Sequence, residues 1–403
     1  MTKYPVSRLQ VSTAFVGFLL IGMASGAWGV LLPNVSAYYH VGRSVVGLLF
    51  FASATGYVLS ALGTSLLTAK LGQRWYLVTG TVLLLLCCVS FSLKPPFMLA
   101  LLIRLFQGMA GAMIETGFNV LLVALPNNTA LLNTLHAFGG VGTLAGPLIA
   151  STLLAFGWGW NTAFLAWALL ALLLLVGLLT LFPRSFNGIG NVEQREKKER
   201  SLLIVLKIPT IWFTTLFLLF YVGVEVSLGD WGYTFLTEHR GANVELAGGI
   251  MSGYWLGSIL GRFILNFLIR RVHLSLSGQM STCMIGIIFG LLMIWFIPNV
   301  IACAAAFFVV GTFLGPIYPS TVALLPDIVK GSLIESAMGF LLSMGILGGA
   351  LFPWAAGTLA QYRGIGALAP YALSLTVVML ALWCVMRRGL QGSSQDSEKA
   401  SAI

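Results

Sequence analysis

The chain has 403 residues, of which 58% are hydrophobic and only 8% are charged. Soluble domains carry about 25% charged residues, so this composition excludes a soluble globular protein and indicates an integral membrane protein. The formal net charge of +10 does not indicate nucleic acid binding, because the basic residues flank apolar runs and serve to orient those runs in a bilayer.

Twelve apolar runs are long enough to cross a bilayer as helices, which takes about 20 residues each. In chain order they lie near 11–33, 45–69, 75–93, 97–125, 132–156, 162–182, 209–236, 246–269, 274–297, 299–325, 333–360 and 366–386. All five cysteines fall inside these runs without metal-ligand spacing, so we expect packing residues and no metal site.

A glycine-containing, highly charged segment separates the first six runs from the last six. We therefore predict an N-terminal six-helix bundle over 1–182, a cytoplasmic linker over 183–207, a C-terminal six-helix bundle over 208–388 and a cytoplasmic tail over 389–403. Sixteen lysines and arginines fall on the side of the termini and four on the other side. This bias predicts that both termini are cytoplasmic, in a multi-pass protein of a bacterial inner membrane.

The two halves share short motifs at an offset of 200–203 residues. GAWG at 26–29 recurs as GDWG at 229–232, and Gly111 recurs as Gly311. Matches that keep their order and spacing indicate a duplicated six-helix unit. The predicted fold class is therefore all-α integral membrane, with twelve transmembrane helices in two pseudo-symmetric six-helix bundles.

Five residues of the fourth span are spaced so that they share one helix face: Arg104, Gly108, Gly111, Glu115 and Asn119. They lie within about 80° of arc, and such a polar stripe cannot face lipid. We interpret Glu115 as a proton-coupling residue and Asn119 as a solute contact. Arg104 and the two glycines are predicted to be structural or gating residues, and a polar seam between helices also fits them.

Two carboxylates lie in the seventh span, although a charge at the bilayer centre costs roughly 2.5–3.5 kcal/mol. Glu225 shares a helix face with Tyr221 and is predicted to face a cavity and to carry a proton. Asp230 is turned by about 140° from Glu225. It is predicted to contact the solute, and a structural pairing with a helix end or an arginine fits it equally well.

A histidine and an arginine complete the ionisable set. His136 in the fifth span titrates near neutral pH, which suits proton coupling, although a packing role also fits a lone membrane histidine. Arg262 in the eighth span is predicted to pair with Asp230 or Glu225, or to pack structurally. The fifth-span stretch GTLAGP at 142–147 supplies three further structural or gating residues, Gly142, Gly146 and Pro147.

Aromatic residues beside glycines inside the spans indicate a sugar-like solute. Sugars present apolar CH faces and many hydroxyls, so a site needs aromatic planes next to amide and carboxylate groups. For any single aromatic residue, packing or a place in the interfacial belt is the alternative. The predicted solute-binding set comprises Trp28, Asn119, Tyr221, Asp230, Trp231, Tyr254, Trp255 and Tyr318.

The two blocks of six spans, RLFQGMAG at 104–111 and GTLAGP at 142–147 resemble the major facilitator superfamily. Within it, IETGFN at 114–119 and YVGVEVSLGDW at 221–231 are similar to the fucose/glucose–proton symporter group, which includes glucose/mannose permeases. The resemblance implies a cavity between two bundles, alternating access and a sugar-like solute. It also implies that Glu115 takes part in proton coupling and sugar contact.

The chain departs from the fucose carriers at two places and from the superfamily's signature at a third. The first-span stretch GMASGAWGVLLPN lacks the aspartate of the fucose carriers, and Gly139 stands where they have an asparagine. These departures argue against fucose itself and leave a hexose or another polyhydroxylated solute. In TAKLGQRW at 68–75, Ala69 takes the acidic position of the family's signature, so the gating ion pairs of that signature are not expected.

The expected function is secondary active transport of a small polar solute, with a sugar as the leading class, by proton-coupled alternating access. A proton-driven efflux antiporter of small molecules or drugs is the alternative. No catalytic motif is found, so we do not expect an enzyme. We expect no cofactor other than a coupling ion, which is either a proton or sodium. The expected partners are a small-molecule solute and the lipid bilayer, and no nucleic acid. We expect the protein to be a monomer.

Overall fold

The computed structural model describes residues 7–123, 125, 128–182, 203–271, 275–329, 331 and 333–401. Within these ranges, the side chains of 65, 129, 264–270, 335 and 388–401 are left undescribed. Most of the predicted linker therefore lies outside the described residues, and the boundaries of the four predicted chain segments stay a prediction.

The described backbone is almost entirely helical. The N-terminal half contains α1 (Arg8–Gly26), α2 (Trp28–Tyr39), α3 (Arg43–Val46), α4 (Leu48–Ser92), α5 (Phe97–Val123), α6 (Asn128–Ala155) and α7 (Asn161–Leu181). The C-terminal half contains α8 (Pro209–Thr234) with a π-helical turn at Phe235–His239, α9 (Val244–Arg271), α10 (Leu276–Phe296), α11 (Val300–Leu314), α12 (Ile317–Ala323), α13 (Leu325–Ile328), α14 (Leu333–Arg363), a 3-10 turn at Ile365–Ala367 and α15 (Leu368–Ser401).

Eleven helical stretches among the described residues are long and apolar enough to cross a membrane. They coincide with eleven of the predicted spans, and α9 occupies the remaining one, 246–269. These helices confirm the predicted all-α membrane fold. The last helix continues to Ser401, well beyond the predicted end of the twelfth span at 386.

The second and third predicted spans are two helical segments joined within α4 at a kink. Gly72 lies at that kink with φ 78° and ψ 160°. A side chain at this position would be strained, because L-residues rarely adopt such a conformation. Two residues later, Arg74 donates from Nη2 to the carbonyl oxygen of Leu179 at 2.7 Å, which ties the kink to α7. Gly72 is thus needed for a backbone turn.

The helix packing repeats between the halves. In the N-terminal half, α1 packs along α6 and α4 packs along α5. In the C-terminal half, α8 packs along α14 and α9 packs along α11. These pairs correspond to one another at an offset of about 200 residues in the sequence, so the packing agrees with the predicted duplication.

Glycines at the helix contacts show which positions of the N-terminal half correspond to which positions of the C-terminal half. A Cβ on Gly108 would overlap the carbonyl oxygen of Ser53, and a Cβ on Gly311 would overlap that of Tyr254. Ser53 and Tyr254 are 201 residues apart. Gly111 has no atom of another segment within 4 Å of a Cβ built on it. The packing therefore relates Gly311 to Gly108, whereas motif matching pairs it with Gly111.

One end of the molecule is closed by contacts between the halves; this closed end carries residues 40–47 and 354–366. Arg43 forms a salt bridge with Glu238, and its Nη1 donates to the carbonyl oxygen of Ala360 at 3.1 Å. The halves also meet at the closed end where α3 and the start of α4 pack against α14. One cation and one anion of opposite halves, Arg43 and Glu238, thus help to hold this end together.

Candidate functional site: a polar crevice between the halves

Half-buried polar side chains from both halves interact with one another where the halves meet. We call this region the crevice and define it by Tyr57, Glu115, Glu225, Trp255 and Tyr318, all of which keep part of their surface exposed. Polar groups at membrane depth are expensive in contact with lipid, so they gather where protein or water surrounds them.

On the N-terminal side, the crevice depends on a close approach of α4 and α5. A Cβ on Gly56 would overlap the carbonyl oxygen of Leu105, so the two helices pack backbone against backbone there. This approach brings Tyr57 to Glu115, and the Tyr57 hydroxyl donates to Glu115 Oε2 at 3.1 Å. Small residues thus set the position of the fourth-span carboxylate and its partner.

Glu115 has a phenol as its hydrogen-bond partner and no salt bridge with any cation of the described residues. Tyr318, on α12 of the opposite half, interacts electrostatically with Glu115 and with Tyr57. Asn119 lies one turn further along α5 and is half-buried. The Glu115 carboxylate therefore accepts a hydrogen bond from a neutral phenol of its own half and interacts with a second phenol of the opposite half.

On the C-terminal side, Glu225 lies among polar groups of α8 and α9. Tyr221, Ser258 and Arg262 all interact with its carboxylate. The hydroxyls of Tyr221 and Ser258 and the Oε1 atom of Glu225 nevertheless form no hydrogen bond with another described group, and neither does Trp255 Nε1. Unpaired buried polar atoms are rare in folded proteins, so these four atoms are candidates for binding a ligand.

A second pair of charges links the halves nearer the closed end. The guanidinium of Arg104 lies 4.1 Å from the centre of the Trp28 ring and donates from Nη1 to Gln107 Oε1 at 2.9 Å. Across the interface, the buried Asp230 interacts electrostatically with Arg104. Arg104 thus combines a cation–π contact with an opposite charge from the other half.

The repeated tryptophan motifs meet close to this pair of charges. A Cβ on Gly29 would overlap the carbonyl oxygen of Gly229, next to Asp230, so α2 and α8 are in backbone contact. Trp231 donates from Nε1 to the carbonyl oxygen of Pro353 at 2.7 Å. The two copies of the motif therefore join the halves on the side of the crevice that faces the closed end.

Four of the predicted solute-binding aromatic residues are buried in this conformation. Trp28 and Trp231 are each 2% exposed, and Tyr221 and Tyr254 are 1% and 0% exposed. The Tyr254 hydroxyl donates to the backbone oxygen of Glu225 at 2.9 Å. Trp255, Tyr318 and Asn119 keep exposed surface, so they are the predicted contacts that a solute in the crevice reaches first.

His136 and Arg262 lie near each other on facing helices of opposite halves. His136 is exposed, and its ring meets Phe18 edge-on with 5.3 Å between the ring centres. Arg262 is exposed as well and interacts with both His136 and Glu225. Of the two partners predicted for Arg262, the structure places it with Glu225, whereas Asp230 interacts with Arg104.

The remaining predicted structural residues lie at helix contacts. A Cβ on Gly142 would overlap the carbonyl oxygen of Leu19, and one on Gly146 would come within 2.5 Å of that of Met23, so both glycines seat α6 against α1. Pro147 lies inside α6. Gly111 makes no such contact. Their roles in gating stay a prediction.

Two contributors to the crevice were given no role by the sequence reasoning. Tyr57 stands in a largely apolar span in which its polar neighbours at helical spacing are the two serines Ser53 and Ser60, and Ser258 resembles many serines of membrane helices. The one available signal is Gly56, because glycine marks a close helix contact and the next residue is then held near the partner helix. No periodicity links Tyr57 to Glu115, which is 58 residues away.

Breaking the cross-half salt bridge is expected to loosen the closed end. Arg43→Glu sets two carboxylates against each other, so a cysteine placed at Ser36, beside the recess near Arg43, reacts faster with a polar maleimide in purified protein. The expected increase is about twofold to fivefold, given the energy of partly exposed ion pairs. The swapped pair Arg43→Glu with Glu238→Arg restores the slow rate. Equal rates in all three proteins contradict a role of this pair in closure.

Comparisons with known proteins agree with this architecture. The Major Facilitator Superfamily model matches residues 14–278 and 233–401. Bypass of stop codon protein 6 of Saccharomyces cerevisiae is 24% identical, with 97% of this chain and 85% of that protein covered. Among solved structures, a point mutant of the nucleoside transporter NupG superposes with a TM-score of 0.78 at 15% identity, covering 94% of this chain and 99% of that one.

The fucose:proton symporter FucP of E. coli, also as a point mutant, superposes with a TM-score of 0.63 at 17% identity, covering 94% of this chain and 98% of that one. These likenesses show the fold. The family model covers nearly all of the chain, and polar side chains of two related halves meet in the crevice. The protein therefore belongs to the Major Facilitator Superfamily and is a multi-pass membrane transporter, as the sequence resemblance predicted.

Proposed function

We propose that the protein is a proton-coupled transporter that moves a small, neutral, polyhydroxylated solute across a bacterial inner membrane. The observation that carries the proposal is the half-buried carboxylate of Glu115, which faces the crevice with a phenol as its partner and without a salt bridge among the described residues. The fucose:proton symporter among the structural neighbours supports the same class of solute and coupling ion.

Charge balance supports Glu115 as the proton carrier. Arg104 interacts with Asp230 and Arg262 interacts with Glu225, which leaves Glu115 without a counter-ion among these described groups. Protonation of Glu115 would remove the carboxylate charge in this set that has no arginine beside it. A carboxylate without a nearby cation is costly in a dry constriction, so a proton on Glu115 would permit the halves to reorient.

We further propose that the closed end faces the outside and that the crevice opens to the cytoplasm in the present conformation. The lysine and arginine bias of the sequence supports this orientation. The halves would then rock about the crevice, with Arg43 and Glu238 parting when the outer side opens. The proposal includes a proton rather than sodium as coupling ion and a monomer as the working unit.

The groups that lack partners among the described residues support a hydroxylated solute. Trp255 Nε1–H, the hydroxyls of Tyr221 and Ser258 and Oε1 of Glu225 together present donors and acceptors beside aromatic rings. A sugar hydroxyl both donates and accepts, so a few hydroxyls could satisfy all four atoms after a small opening of the helices. An organic anion would meet carboxylates of both halves and is disfavoured.

A thermal-shift screen of the purified protein tests this function. We expect a neutral solute from a panel of three sugars (D-glucose, D-mannose and D-xylose) and the nucleoside uridine to raise the unfolding temperature in a concentration-dependent way, because a ligand of the folded state stabilises it. Citrate and glutamate should leave it unchanged. The Trp255→Phe variant removes one donor and should need more sugar for the same shift. Stabilisation only by lipophilic drugs would instead favour the efflux antiporter.

A further inference from the structure

We propose that Tyr57 is a positioning residue that sets the pH at which Glu115 releases its proton. The inference rests on the proposed role of Glu115 and goes beyond it, because it assigns a function to a tyrosine on a different helix. The observation that carries it is the hydrogen bond from the Tyr57 hydroxyl to Glu115 Oε2, at 3.1 Å.

The position of the phenol is determined by backbone packing. Gly56 seats α4 against the carbonyl oxygen of Leu105, and Gly108 seats α5 against that of Ser53. Tyr57 follows Gly56 directly, so its side chain leaves α4 where the two helices are closest. Because α4 and α5 belong to the same half and touch through backbone atoms, Tyr57 and Glu115 move together when the halves rock.

A phenol favours the ionised form of a carboxylate. The O–H group donates to a charged oxygen, and hydrogen bonds with one charged partner are stronger than those between neutral groups. When Glu115 takes up a proton, that oxygen becomes a weaker acceptor and the bond loses strength. Tyr57 therefore assists release of the proton and opposes its uptake.

The other groups around Glu115 do not replace this donor. Tyr318 on α12 interacts with Glu115 and Tyr57, but it belongs to the opposite half, so its distance changes as the halves rock. Tyr76 on α4 interacts with Tyr57 and forms its own 3.0 Å contact with the Thr64 hydroxyl. Arg262 interacts with Tyr318 from the far side of the crevice. Tyr57 is thus the hydrogen-bond donor that stays with Glu115, whereas the electrostatic interaction of Tyr318 with Glu115 depends on conformation.

The inference predicts how the titration of Glu115 responds to Tyr57→Phe. Purified full-length protein in lipid is titrated while the carboxyl C=O band is followed by infrared difference spectroscopy, and the Glu115→Gln variant identifies the band. Loss of the donor should move the midpoint of that band about one pH unit to the alkaline side, the equivalent of a hydrogen bond to a charged group. No transported solute is needed for this measurement.

Tyr39→Phe is the matched control. Tyr39 belongs to the same half, and its hydroxyl donates to the carbonyl oxygen of Pro95 at 2.7 Å, far along the chain from Glu115. This variant should leave the midpoint unchanged. A fluorinated tyrosine placed at Tyr57 keeps the ring and donates more strongly, so it should move the midpoint to the acid side even where the phenylalanine variant folds poorly.

The outcomes separate this inference from the proposed function. An unchanged midpoint in Tyr57→Phe, or a shift equal to that of Tyr39→Phe, overturns the role of Tyr57. If the midpoint is unchanged in Tyr57→Phe and Glu115→Gln fails to transport solute uphill, Glu115 keeps its proton-carrying role but Tyr57 has no part in it. If instead Glu115→Gln transports normally while the midpoint shifts in Tyr57→Phe, the hydrogen bond is real and the proton-carrying role proposed for Glu115 is wrong.

Discussion

Glu115→Gln is expected to abolish solute accumulation driven by a pH gradient while leaving counterflow exchange of the same solute intact. Glutamine keeps the shape of a protonated glutamate, so the carrier can bind solute and reorient. The glutamine amide does not titrate, however, so it cannot take up and release a proton. Proteoliposomes with an imposed pH gradient give the first readout, and exchange of labelled for unlabelled sugar gives the second. The expected loss of accumulation is complete, because a carrier without a titrating group gains nothing from the gradient.

Glu225→Gln is the matched control for that experiment. Glu225 interacts with Arg262 and so already has an opposite charge nearby, whereas Glu115 has a phenol. The control should weaken solute binding, seen as a higher KM, and should still accumulate solute against its gradient. If Glu115→Gln accumulates normally and Glu225→Gln does not, the proton is carried on the C-terminal half and our assignment is reversed.

Gly108→Ala is expected to destabilise the protein, while Gly111→Ala on the same helix is not. A Cβ on Gly108 would overlap the carbonyl oxygen of Ser53, and backbone atoms cannot move aside without separating α4 from α5. Overpacking of this kind costs about 1–3 kcal/mol. The same methyl group on Gly111 meets no atom of another segment within 4 Å.

Thermal unfolding in detergent compares the two alanine variants. Alanine is the better helix former by about 1 kcal/mol, so Gly111→Ala should unfold at or slightly above the temperature of the parent protein. Gly108→Ala should unfold clearly below it, and should also weaken transport, since the helix contact positions Tyr57 at Glu115. Equal unfolding temperatures would show that the two helices adapt and that the close packing is not a constraint.

The predicted spans agree with the structure because they depend on hydrophobicity summed over about 20 residues, a property that the bilayer imposes locally. The kink at Gly72 falls in the gap between the second and third predicted spans. The pairing of Gly311 was wrong by one turn, because motif matching aligns letters, whereas contact with a neighbouring carbonyl oxygen selects Gly108 as its equivalent.

The candidate site was harder to predict from the sequence. Helical spacing placed Glu115 and Asn119 on one face, and both are half-buried beside the crevice. Helical spacing did not decide between several possible partners of Asp230, and in the structure Asp230 interacts with Arg104 of the other half. Partners on different helices are set by how the helices cross, and no periodicity within a single helix carries that information.

The sequence by itself determined that the chain is an all-helical membrane protein with two related halves, and it showed which ionisable residues lie inside the spans. Composition, apolar run length and an internal repeat suffice for this, since each reports how a segment interacts with lipid or with its own copy. Only the tertiary structure decided which charges are paired, that Tyr57 donates to Glu115 and that Arg43 binds Glu238. These contacts join residues far apart in the chain, and they follow from backbone approaches that only the packed helices define.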